Sequence, residues 1–276
     1  MFKKIDLNKF VSAMIADKVK GYAETTSSFS DIAKLICNRY GLFGRNILSI
    51  GGGNCYEEIA FIKEGKNNCY VVDIDEHGTL ESIINECTSN EDSSTGLSFI
   101  IDDFITMNLA KLGLDRFDVI YASGFTPDEV RRGMIRDKTI KVFSLVKRCF
   151  PFIKREFCQW PVFYTKPIHH SLEVVVKRRL KDNGLFVLQS YGFGVDISVS
   201  PEIVGHMIKQ LEDCGISLVE GYYFRESPGV SFWVAIKGNR EVAEKFAKEL
   251  SQRPKLDRFH ARAEVDNSCM NFYSIV

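Results

Sequence analysis

The sequence predicts an α/β protein with a mostly parallel sheet and helices on both faces, and three observations predict it. Short apolar runs alternate with amphipathic segments from residue 45 onward. The runs NILSI, NCYVVDI, LSFII and FDVIYA have no wet face, and strands apolar on both sides belong in a parallel sheet covered by helices. The last two runs, ISLVEGYYF and VSFWVAIKG, are joined by RESPG alone, too short for a helical crossover, so they pair antiparallel and close the sheet in a hairpin.

Each element has a local reason. Leu7, Phe10, Val11, Met14, Ile15, Val19 and Tyr22 recur at three-to-four spacing, one face of a helix over residues 7–22. A second helix is expected to start at TTSSFSD, whose hydroxyls and Asp31 suit an N-terminus, and to end at Gly41 after Tyr40. Strand NILSI leads to a helix over about 54–64, strand NCYVVDI to a helix over about 77–87, and then come strands LSFII and FDVIYA. Helical residues run to about 149 and over 168–181, and Asn183 and Gly184 lead into a fifth strand, LFVLQSY. Ser200, Pro201 and Glu202 supply an N-cap, a first-turn proline and a first-turn acid for a helix that stops at Gly215. The divisions that follow are an N-terminal helical segment at 1–44, the α/β domain at 45–238 with an insert at about 125–183, and a C-terminal helix and tail at 239–276.

With 276 residues, 45% of them hydrophobic and 26% charged, the chain can bury one large core. Lys+Arg 36 balance Asp+Glu 36, so the average composition attracts neither nucleic acid nor an acidic membrane surface. The start, MFKKIDLNKFVSAMIADK, places charges where a signal peptide needs an apolar core, and no run approaches a membrane span; a cytoplasmic protein is expected. Eight cysteines show neither CxxC nor CxxH spacing and read as reduced thiols, with Cys37, Cys69, Cys87 and Cys214 in or near the core. No clustered His/Cys/Asp set calls for a metal.

The chemistry-bearing stretch is ILSIGGGNCYEEIAF, residues 47–61, where a strand breaks on three glycines and resumes as a helix. Such a turn brings a ligand against the backbone and offers it the unpaired N–H groups of a helix start. A dinucleotide loop G-x-G-x-x-G fails, because counting from Gly51 its third glycine falls on Tyr56, and no G-K-[ST] follows for a P-loop.

The spacing resembles the first motif of class I S-adenosylmethionine-dependent methyltransferases, acidic-x-G-x-G-x-G, read here as Ser49-Ile50-Gly51-Gly52-Gly53-Asn54-Cys55. Gly51 and Gly53 match; Ser49 stands in place of the acid and Cys55 in place of the last glycine. The resemblance implies that Asp73, with Ile74 beside it, holds the ribose hydroxyls of S-adenosyl-L-methionine. It further implies that Asp103 takes the adenine amino group, that Phe104 covers the ring, and that Ala122, Ser123 and Gly124 line the methionine and methyl end. It also implies a Rossmann-like sheet of seven strands whose antiparallel last strand is inserted at the edge.

Between the fourth and fifth strands, residues 125–184 exceed what one crossover helix needs, and the excess is expected to hang over the site as a lid. Residues 131–181 hold 14 Lys+Arg against three acids, a net +11, and a basic lid favours a small anionic substrate; the neutral total argues against nucleic acid. His169, His170 and Tyr164 in this insert are the candidate bases for deprotonating a methyl acceptor. The resemblance implies a methyltransferase. Two other readings stand beside it: a nicotianamine-synthase-like or polyamine-synthase-like enzyme moving the aminocarboxypropyl or aminopropyl arm, and a non-catalytic binding protein on the same fold.

Overall fold

Alternate residues of the apolar runs enter two different cores, one on each side of the sheet. In NILSI, Ile47 joins the cluster on one face, while Leu48 and Ile50 join the cluster on the other. The computed structural model describes residues 2–16, 22–52, 54–73, 78–88, 96–102, 114–123, 176–191, 211–223 and 230–254. Its elements are β1 (Phe2–Ile5), α1 (Leu7–Ala16), α2 (Tyr22–Tyr40), β2 (Asn46–Ile50), α3 (Tyr56–Gly65), β3 (Asn68–Asp73), α4 (Gly78–Glu86), β4 (Leu97–Ile101), β5 (Phe117–Ser123), β6 (Leu180–Tyr191), β7 (Ile216–Tyr223), β8 (Val230–Lys237) and α5 (Arg240–Leu250).

The strands form one sheet in the order β1-β4-β3-β2-β5-β6-β8-β7. The five from β4 to β6 run parallel, and β8 is inserted antiparallel between β6 and β7. This is the Rossmann-like order of the class I methyltransferase fold. The chain leaves β2 toward β3 on one side, and β5 lies on the other, so the order reverses at β2. Ligands of open α/β sheets bind at such a point, outside the carboxyl ends of the strands.

Helices α1 to α5 all contribute to one core, through Phe10 and Met14, Ile36 and Tyr40, Ile59 and Phe61, Ile83 and Ile84, and Ala243 and Leu250. Phe61 of α3 meets Tyr121 of β5 edge-on, with ring centroids 5.1 Å apart, which seats α3 over the centre of the sheet. On the opposite face, Val176, Leu211 and Cys214 pack on Leu48, Ile120, Leu188 and Trp233. The predicted core thiols Cys37, Cys69, Cys87 and Cys214 are all buried.

Three expectations are corrected. Among the described residues the sheet has eight strands rather than seven, because residues 2–5 form β1, antiparallel on β4. Its two lysines obscure the strand in sequence yet suit a sheet edge, where they discourage pairing with another chain. Asp6 then caps α1, its Oδ1 accepting from the N–H groups of Asn8 at 3.0 Å and Lys9 at 3.1 Å.

Second, TTSSFSD does not start α2 but lies inside it. Ser and Thr cost a helix only tenths of a kcal/mol each, and the half that follows is held by Ala33, Ile36, Cys37 and Tyr40 in the core. Third, Asn183 and Gly184 lie within β6 rather than ahead of it. Leu180 already pairs with Phe117, and the register then shifts before Val119 and Leu185 pair. Asn183 adopts φ 60, and a Cβ on Gly184 would lie 2.8 Å from the Lys181 carbonyl and 2.9 Å from that of Asp118. The predicted turn is thus a bulge inside a longer strand. The expected helix start at 200–202 lies outside the described residues; its stop at Gly215, φ +73, is as expected.

Candidate functional site

The carboxyl ends of three parallel strands finish level with one another. Ile50 of β2 pairs with Val72 of β3 and with Ala122 of β5, so Gly51, Asp73 and Ser123 follow as the next row. Asp73 pairs in turn with Ile101 of β4, and Ser123 with Gln189 of β6. The register thereby gathers candidates that lie 72 residues apart in the chain. Ala122 is buried and Asp73 half-buried.

The turn from β2 into α3 is built on this row. Gly51 has φ +70, and its N–H donates to the Val72 carbonyl at 2.9 Å, carrying the β2–β3 ladder one residue past the strand. A Cβ on Gly52 would stand 2.6 Å from Val71 Cγ1 and 3.0 Å from Glu58 Oε1, so no larger residue fits without displacing them. Both glycines therefore have reasons within the fold, apart from any ligand. Cys55 closes the turn, its N–H donating to the Gly52 carbonyl at 2.8 Å, and serves as the N-cap of α3 with φ 58 and no side-chain cap bond. That left-handed backbone is one glycine adopts freely. Asn54 is exposed, whereas Cys55 is fully buried and points its thiol into the core. Burial, then the charge of Glu58, pushes that thiol well above its ordinary value, so it is no nucleophile.

Glu58 is the residue that motif reasoning missed. It is fully buried on the first turn of α3, and its Oε1 accepts a hydrogen bond from the Ser49 hydroxyl, at the position where the first motif carries an acid. Among the described residues, its Oε2 is buried with no hydrogen-bond partner. Burial, then the charge of Glu57, pushes the carboxyl up to about 8; the Ser49 bond and the residue's own backbone N–H oppose the shift, and Asp73 adds to it. The signals in the sequence were the Glu57–Glu58 pair after the glycines and the serine in place of an acid.

Gly53, Ile74, Asp103, Phe104, Gly124, Tyr164, His169 and His170 lie outside the described residues. The neighbouring Asp102 is described: it is exposed, and its N–H donates to the Asp73 carbonyl at 3.2 Å. A surface groove lined by Asp182, Asn183, Gly215, Lys237 and Arg240 lies at the amino-terminal ends of β6 and β7, on the edge of the sheet away from this row.

No protein-family model matches the chain, and no curated protein matches it. Solved structures of similar shape include the antibiotic-resistance methyltransferase Kmr, with TM-score 0.47 and 9% identity over 72% of this chain and 90% of that one. A fibrillarin pre-rRNA processing protein of Methanococcus jannaschii has TM-score 0.47 and 16% identity over 76% of this chain and 75% of its own. The 1,6-didemethyltoxoflavin-N1-methyltransferase of Burkholderia thailandensis, with bound 1,6-didemethyltoxoflavin and S-adenosylhomocysteine, has TM-score 0.45 and 13% identity over 86% of this chain and 92% of its own. The fold assignment stands on the strand order itself.

Proposed function

We propose that the chain is an S-adenosyl-L-methionine-dependent methyltransferase acting on a small anionic molecule. The observation that carries this reading is the row Asp73–Gly51–Ser123 at the reversal point of the sheet, with a glycine turn and a helix start on its central strand. The buried oxygen of Glu58 under that turn, without a partner among the described residues, fits a cofactor with a cationic end.

In this reading Asp73 accepts both ribose hydroxyls, since one carboxylate can take two donors. Ile74 lies beside it at the ribose, Asp103 takes the adenine amino group, and Phe104 covers the ring. The turn 51–55, through Gly51, Gly52, Gly53, Asn54 and Cys55, carries the amino-acid end, while Ala122, Ser123 and Gly124 line the side where the acceptor enters. When bound, the sulfonium supplies an electrophilic methyl group. The protein's task is then to hold the acceptor in line and exclude water. A hydroxyl or ammonium acceptor loses its proton to His169, His170 or Tyr164 of the insert.

The test is calorimetry with S-adenosylmethionine. Asp73→Ala is expected to weaken binding by about 1.5–3 kcal/mol, the loss of hydrogen bonds to a charged group. Unchanged affinity in a folded variant removes the ribose assignment, and no binding by the natural chain removes the cofactor. The by-product identifies the reaction: S-adenosylhomocysteine means methyl transfer, and methylthioadenosine means that the arm was moved.

A further inference from the structure

We propose that Glu58 is the counter-ion for the α-ammonium group of the cofactor's amino-acid end, an acid transferred from the end of β2 to the first turn of α3. This rests on the cofactor reading above. Three observations support it. The carboxyl is fully buried, and one of its oxygens has no partner among the described residues, a costly arrangement unless the group is neutral or meets a cation. It lies directly beneath the glycine turn: Oε1 is 3.0 Å from where a Cβ on Gly52 would stand, so only a glycine backbone fits over the carboxyl at that point. Ser49 holds it from the strand position that otherwise supplies an acid, so the pair Ser49–Glu58 keeps a carboxyl at that place with the serine as its support.

Among the described residues, the titratable groups facing Glu58 are acids and thiols. From α3 comes Glu57, from β3 come Asp73 and the buried Cys69, and from the turn comes the buried Cys55. The described charged groups acting on it are thus acidic, and its carboxyl is pushed up to about 8. A ligand with an ammonium and a sulfonium finds there an acid that ionises as the ligand arrives. The proton leaves to solvent, and the new carboxylate keeps the Ser49 bond on one oxygen while the other pairs with the ammonium.

The experiment measures binding of S-adenosylhomocysteine, which carries the amino-acid end, and of methylthioadenosine, which lacks it. In the natural chain, S-adenosylhomocysteine affinity is expected to rise with pH by up to about tenfold per unit between about 6 and 8, with up to about one proton released, read from calorimetry in buffers of different ionisation enthalpy. Methylthioadenosine affinity stays flat. Glu58→Gln is expected to lose about tenfold or more for S-adenosylhomocysteine and nothing for methylthioadenosine. Ser49→Asp added to Glu58→Gln restores part of the loss by returning the carboxylate to the strand.

A flat pH profile without proton release, or equal loss for both ligands in Glu58→Gln, overturns the proposal and makes Glu58 a brace for the turn. If the natural chain binds neither ligand, the cofactor reading falls and takes this inference with it. The measurements on the natural chain need no variant, so a Glu58→Gln chain that fails to fold leaves the test standing.

Discussion

Glu58 stands at the third helical position of α3, where a glutamate ordinarily reaches back to the N-cap backbone N–H; here it turns inward to Ser49. Its carboxyl is pushed up from 4.5 to about 8 by burial and by the charges of Glu57 and Asp73. An acid raised in the folded state holds its proton more tightly there than when unfolded. Its contribution to stability is therefore full below about 4.5 and falls as pH rises toward about 8, by up to about 1.4 kcal/mol per pH unit. Glu58→Gln has no proton to lose. Thermal melts of the ligand-free proteins should show the variant gaining on the natural chain between about pH 5 and 8, and a constant difference would mean that Glu58 is ionised throughout. Cys55 sits beside it with φ 58. Because a left-handed backbone costs an L-residue about 1–2 kcal/mol, Cys55→Gly should be more stable than Cys55→Ala by about 1 kcal/mol, the reverse of their order in a helix interior. Urea melts decide it; the ordinary order would show that the turn relaxes once the thiol is gone.

Helix α2 is tied to the far end of the sheet by ionic contacts that no local pattern announces. Arg39 Nε donates to Glu220 Oε1 at 2.8 Å, and its Nη2 donates to Oε2 at 2.6 Å. The Tyr40 hydroxyl donates to the same carboxylate. Arg39 Nη1 also donates to the Pro254 carbonyl at 2.9 Å, while Arg253 Nη1 donates to the Arg39 carbonyl at 2.7 Å, so the residues after α5 are fastened to α2. Glu220 lies in β7 where its register with β8 shifts after Leu218. Both charges are buried, so removing one strands the other. Arg39→Met is expected to cost about 3–5 kcal/mol in denaturant melts, whereas Arg39→Met with Glu220→Leu should cost much less. Equal costs for the single and double changes would mean that the pair contributes by packing alone. The same kind of distant partner accounts for β1, whose lysine-bearing residues become a strand only because β4 offers an open edge.

At the scale of the molecule, the candidate site sits at the carboxyl ends of the strands, and the basic insert leaves β5 from that same edge, although residues 124–175 lie outside the described part. If this segment is the lid, charge reversal at Lys154 and Arg155 should raise KM for the second substrate and leave cofactor affinity nearly unchanged. The effect should shrink as salt rises, because exposed charges more than about 8 Å apart are screened at physiological ionic strength. A loss independent of salt, or one shared by cofactor binding, would make the insert a brace.

The strands, their order of appearance and the closing hairpin were legible in the sequence because they rest on local signals. Runs such as NILSI and LSFII are apolar on both faces, and RESPG allows no crossover. The glycine turn and Asp73 were legible for the same reason, as a break and an acid each at the end of such a run. Burial and register are different, because they depend on residues far away in the chain. The tertiary structure alone set Gly51, Asp73 and Ser123 in one row. It turned Glu58 from a helix-start acid into a buried group beneath Gly52, and joined Arg39 to Glu220 across 181 residues. A periodic pattern says which face of an element is apolar, but only the packed sheet determines what that face meets and which polar groups are shut in with it.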